Sequence, residues 1–159
     1  MHLQRAILFR RVDGRAVTRI VATVVAAVSL VVASGCGGRA HAQVFDAVVP
    51  VDLSNFKITV ADHVKPGLVK FELNGVGPTM HEFNVVRTDA APDVLPLAPD
   101  GTVDDQNPHS GFVHLAEREG IDIGGHASLI VRLRPGHYVV YCNMYGHYQA
   151  GMHAEVTVS

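Results

Sequence analysis

The sequence predicts an all-β fold, a sandwich of short strands, on three observations. Strand-length apolar runs recur at 47–53, 56–60, 68–73, 80–87, 127–133, 137–142 and 154–158. Turn residues separate them, and no long segment carries the apolar period of a helix. The length that follows residue 42 suits one domain with a single core.

Taken in order, the chain begins with a segment that is read as removed. Arg5, Arg10, Arg11, Arg15 and Arg19 precede an unbroken run of apolar and small residues at 20–33. A basic segment followed by a short apolar one is an export signal. The run falls short of the roughly 20 residues that a membrane-spanning helix needs. Arg10-Arg11 also admits a twin-arginine signal, although its flanks match that motif poorly.

Two processing sites compete. Ala33-Ser34-Gly35-Cys36 has the form of a bacterial lipobox, with Cys36 the candidate for lipidation, and Ala40-His41-Ala42 fits ordinary small-x-small cleavage. The position of the lipobox directly after the apolar run favours it. Residues 1–42 are thus the export signal and processed leader, cut either before Cys36 or after Ala42. Residues 43–159 are the folded domain, exported and either tethered through a lipid on Cys36 or free in the periplasm. From Gln43 onward seven Lys and Arg face fourteen Asp and Glu, a formal balance of −7. That charge argues against nucleic acid and favours a partner with a basic patch.

Within the domain, Val-Lys-Pro-Gly at 64–67 and Arg-Pro-Gly at 134–136 read as hairpin or corner turns. Residues 89–111, with Pro92, Pro96, Pro99, Pro108 and Asp100-Gly101, have turn chemistry throughout. They predict a long loop that covers the sandwich rather than a docking element. Residues 112–120 read either as a short strand or as a helical turn.

The chemistry is concentrated at 135–152. Cys142, His147 and Met152 follow the spacing C-x4-H-x4-M. Thiolate and thioether sulfur suit Cu(I), imidazole suits both oxidation states, and two His, one Cys and a weak axial Met form an electron-transfer site. His81 supplies the second imidazole. It alternates with Phe83 and Val85 against Glu82 and Asn84, which puts it on the inward face of its strand. Of the two cysteines, Cys36 belongs to the leader, so Cys142 is the lone thiol of an oxidising compartment and metal ligation is its evident use.

These residues resemble those of the cupredoxins, the blue (type 1) copper proteins, and the loop spacing is similar to that of rusticyanin and the sulfocyanins. The resemblance covers roughly residues 46–159. It implies a Greek-key β-sandwich with one type 1 copper, His81, Cys142 and His147 as equatorial ligands and Met152 as the axial one. It also implies a backbone hydrogen bond from Glu82 to the copper-bound sulfur. Where many of these proteins have Asn after the first His, this chain has Glu82, and Asn143 is the candidate for part of the missing side-chain link.

The other histidines are expected to lie off the site. His137 and His153 fall on the opposite face by strand parity. His63, His109, His114 and His126 show no ligand spacing, so an accessory metal site among them is the lesser reading. Tyr138 and Tyr141 are expected to pack. Met144, Tyr145 and Tyr148 are candidates for an apolar collar about His147, where the resemblance places electron entry and partner docking.

The function expected is that of a monomeric one-electron carrier between redox partner proteins of the cell envelope. Copper storage, delivery or resistance is the alternative. A multicopper oxidase or reductase is disfavoured: no His-x-His pair follows the leader, and Tyr141 and Asn143, not His, flank Cys142.

Overall fold

The computed structural model describes residues 43–159. The export signal, Cys36 and both cleavage sites lie outside the described residues. No helix of the described residues is long and apolar enough to cross a membrane. The strands are β1 (Ala47–Ser54), β2 (Lys57–Thr59), β3 (His63–Val64), β4 (Gly67–Gly75), β5 (His81–Arg87), β6 (Val113–Ile121), β7 (His126–Leu133), β8 (Gly136–Tyr141) and β9 (His153–Val158).

They form two sheets, β2-β1-β4-β7 and β3-β9-β8-β5-β6, a Greek-key β-sandwich. β1 runs parallel to β4 and β3 parallel to β9, and the remaining pairs are antiparallel. Both predicted turns are corners. Residues 64–67 join β3 in one sheet to β4 in the other, and 134–136 take the chain from β7 across to β8. Gly67 turns the first with φ +128°, and a Cβ there would collide with the Asp46 carboxylate, which accepts a bond from Leu68 N at 2.6 Å. Tyr138 holds the second corner, its hydroxyl donating to Arg134 O at 2.7 Å.

Alternation along the strands builds the core. Val49, Val51 and Leu53 of β1 and Val69, Phe71 and Leu73 of β4 point inward against Phe83 and Val85 of β5 and Tyr138 and Val140 of β8. Phe71 and Phe83 meet across the sheets with ring centroids 5.2 Å apart. Each such side chain, fully buried, contributes about 1.5–3 kcal/mol.

The segment read as strand or helical turn is a nine-residue strand, β6, at the sheet edge. Residues 89–111 do cover the sandwich. Leu95 and Val103 are buried on the outer face of the second sheet, against Val86, Val139, Tyr141 and Tyr148. Tyr148 pins this covering loop, accepting from Leu95 N and donating to Pro92 O, both at 2.8 Å. Removing its hydroxyl leaves a buried N–H without a partner, so Tyr148→Phe is expected to cost about 1–3 kcal/mol in chemical denaturation.

Candidate metal centre

His81 opens β5 and keeps the inward parity of Phe83 and Val85. Cys142 follows β8 directly and continues the inward series of Tyr138 and Val140, while Val139 and Tyr141 face outward. The chain then turns tightly. His147 N donates to Met144 O at 2.9 Å, Met152 N to His147 O at 3.0 Å, and Cys142 N to Met152 O at 3.0 Å. The last of these closes the loop at its neck, so three of the four predicted donors are fixed on one short backbone circuit.

The loop comes up beside the His81 strand. One donor atom each from His81, Cys142 and His147 lies within 4.8 Å of the other two. Cys142 Sγ sits 3.3 Å from His147 Nδ1, and the two imidazole centroids are 5.3 Å apart. His81, Cys142 and Met152 are fully buried, and His147 keeps only 9% exposure. Glu82 N donates to Cys142 Sγ at 3.3 Å, the bond implied by the resemblance.

Whether these residues fit a copper ion is tested by His81. Both ring nitrogens are buried and neither has a hydrogen-bond partner. An unsatisfied buried polar group costs about 1–3 kcal/mol. Natural structures keep such groups for a reason, and a nitrogen aimed at a thiol and a second imidazole has one in metal ligation. A Cβ built on Gly77 would lie 3.0 Å from His81 Nε2, which sets that nitrogen against the β4–β5 loop.

The charges are arranged consistently. Burial, and then the neighbouring His147, lower the basicity of His81, and burial lowers that of His147, so both rings favour the neutral, metal-binding form. Burial raises the Cys142 thiol, opposed by the backbone N–H groups of Glu82 and Met144. An empty site therefore holds a protonated thiol, and metal uptake releases its proton.

Gly77 makes this geometry possible. The same added Cβ would meet Ser54 Cα at 2.9 Å and Asn55 N at 3.0 Å, both backbone atoms. Gly77→Ala must therefore move either the loop or the His81 ring. The expected result is about 1–3 kcal/mol of overpacking and faster copper loss, measured as the off-rate to a chelator.

Two expectations need correction. Tyr148 is not part of a collar: it is buried and turned toward the covering loop, because its hydroxyl is bound by Leu95 and Pro92. Asn143 does not reach across to the His81 strand. Its side chain accepts from Val103 N at 2.7 Å and donates to Val103 O at 3.2 Å, which ties the donor loop to the covering loop. Met144 is half-buried against the core. Tyr145 does stand exposed, and Phe56 of the β1–β2 turn packs edge-on against His147 with centroids 5.1 Å apart. Sequence reasoning missed Phe56; an aromatic residue beside Asn55 in an exposed turn was the only signal.

The remaining histidines divide. His137 lies off the site, paired with Glu155 at 2.6 Å and Thr88 O at 3.2 Å. His153 packs on Tyr148, away from the donors. His126 bonds Asn74 at 2.8 Å. His114, given no partner by spacing, sits with Asp105 and Glu117.

A family model of the sulfocyanin (SoxE) domain matches residues 53–159. Among solved structures, the chain is similar to a reduced auracyanin from the photosynthetic bacterium Roseiflexus castenholzii, at 17% identity and a TM-score of 0.50 over 74% of this chain and 99% of that one. Auracyanin B is similar at 20% identity and a TM-score of 0.53, over 74% and 92%. Rusticyanin from Thiobacillus ferrooxidans aligns at 18% identity and a TM-score of 0.48, over 74% and 80%. No curated protein matches the sequence. The two auracyanins share the sandwich, the family model spans every strand that carries a donor, and the chain belongs to the sulfocyanin (SoxE) family of cupredoxins, the blue copper proteins.

Proposed function

We propose that the protein is an exported one-electron carrier, holding one type 1 copper through His81, Cys142 and His147 with Met152 as the axial donor. The observation that carries this is His81: a fully buried imidazole with neither nitrogen partnered, set beside a lone buried thiol and a second imidazole. Bound there, copper supplies one-electron exchange between Cu(I) and Cu(II).

The protein supplies rigidity. His81 is fixed by β5, and the other three donors by a loop whose neck is a Cys142–Met152 backbone bond. Donors held this way need little rearrangement when the charge at the site changes. His147 is the donor with an edge at the surface, and exposed Phe56, Met80 and Tyr145 form apolar surface at this end of the sandwich. An electron partner docking there comes close to the His147 ring. The domain's formal charge of −7 suits a partner with a basic rim. Residues 1–35 act as the export signal, cleaved before Cys36, which becomes the point of lipid attachment to the membrane.

Copper delivery or storage is the competing function. It requires ready exchange, whereas three donors here are fully buried. The visible spectrum and the copper off-rate separate the two. Intense blue colour with slow loss is expected of the carrier; a colourless protein that exchanges Cu(I) readily would mark a metal handler.

A further inference from the structure

A second cluster of donors lies on the opposite face of the same sheet from the copper ligands. Ligand atoms of Asp105, His114 and Glu117 all fall within 4.8 Å of one another. They come from two places: Asp105 from the covering loop, His114 and Glu117 from β6. Residues three apart on a regular strand point to opposite faces. Here β6 has a bulge: Ala116 pairs with Val85 but His114 with Val86, leaving Leu115 as the extra residue. The bulge reverses the parity between His114 and Glu117 and brings both to one face, a use to which bulges beside functional sites are put.

A different residue shows that this face is incomplete. Tyr141 is fully buried, and its hydroxyl has no hydrogen-bond partner. It lies in one cross-strand row with Asn84 and Glu117, since Asn84 pairs with both. Asp105, Glu117 and Glu82 are the carboxylates around its phenol. His114 Nε2 contacts Asn84 Oδ1 at 3.3 Å and Glu117 at 3.8 Å, and Asn143 Nδ2 donates to Asp105 at 3.4 Å. Among the described residues, no Lys or Arg is paired with Asp105 or Glu117.

The geometry points to a second metal site, in which Asp105, His114 and Glu117 bind a borderline divalent cation such as Zn2+. One imidazole and two carboxylates are a donor set of that class, without the sulfur that selects Cu(I). Glu117 also lines an open groove of about 580 Å3 with Glu82, Arg118 and Glu119. A filled site supplies the Tyr141 hydroxyl with the partner it lacks, an ion-bound water or a ligating carboxylate. It also clamps the covering loop to β6. The Asn143 side chain, one residue after Cys142, is already bonded to Val103 and Asp105, so the clamp acts next to the copper loop.

The test is calorimetric titration of the copper-loaded protein with Zn2+, with the ion located by anomalous scattering at the zinc edge. One further equivalent is expected. Asp105→Asn, His114→Ala and Glu117→Gln should each weaken it at least tenfold with the far-ultraviolet circular dichroism unchanged, and His126→Ala should not affect it. Bound zinc should also slow proteolysis within residues 89–111. Cys142→Ser must retain the equivalent, which separates this site from the copper centre whatever that centre binds. Absence of a further equivalent, or zinc that persists in His114→Ala but disappears in Cys142→Ser, would overturn the assignment.

Discussion

Cys142→Ser is expected to abolish the blue absorption completely. The colour of such a site comes from charge transfer between a thiolate and Cu(II), and Cys142 is the one cysteine among the described residues. A serine hydroxyl is close in size but is a harder and far less acidic donor, so it neither gives the transition nor holds Cu(I). The fold should survive, since Cys142 sits after β8 and its side chain contributes one small buried group to the core. Retained far-ultraviolet dichroism with lost visible absorption is the predicted pair of results. Persistence of the blue band would exclude this sulfur from the site.

Met152→Gln is expected to lower the reduction potential while the colour remains. Met152 is fully buried, and the loop neck fixes it by its backbone, N to His147 O and O to Cys142 N. A glutamine side chain of similar length can take its place with an oxygen donor. Oxygen favours Cu(II) over Cu(I), which stabilises the oxidised state and moves the midpoint downward. Each tenfold change in the relative affinity for the two states is about 59 mV for one electron. A fall of at least that size is expected by protein-film voltammetry, and an unmoved potential would remove Met152 from the donor set.

Most of the sandwich was legible because its inner faces obey a period of two. The burial of β4 alternates around Val69, Phe71 and Leu73, and such a pattern reads directly from the chain. β6 was ambiguous for the opposite reason. It is an edge strand whose side chains, apart from Ile121, stay outside the buried core, so charged and apolar residues mix without a face. The parallel pairing of β1 with β4 depends on contacts distant in sequence, which local pattern does not encode.

At the metal centre, the three loop donors and His81 were readable because copper demands particular atoms at short spacing. Directions of neighbouring side chains were not. Tyr148 adjoins His147 in sequence, yet the tight turn swings it to the outer face. Leu95 and Val103 are anchors hidden among Pro, Asp and Gly, so the covering loop gave no sign of its buried contacts. His114 was set aside because it shows no ligand spacing, and Glu117, three residues on, reaches the same face only through the bulge in β6.

X-ray absorption at the copper edge of the loaded mature protein tests the central claim most directly. Two imidazole nitrogens and one short copper–sulfur contact are predicted, with the sulfur contact gone in Cys142→Ser and one nitrogen gone in His81→Ala. A shell of nitrogen and oxygen alone, or a spectrum unchanged by either substitution, would contradict it.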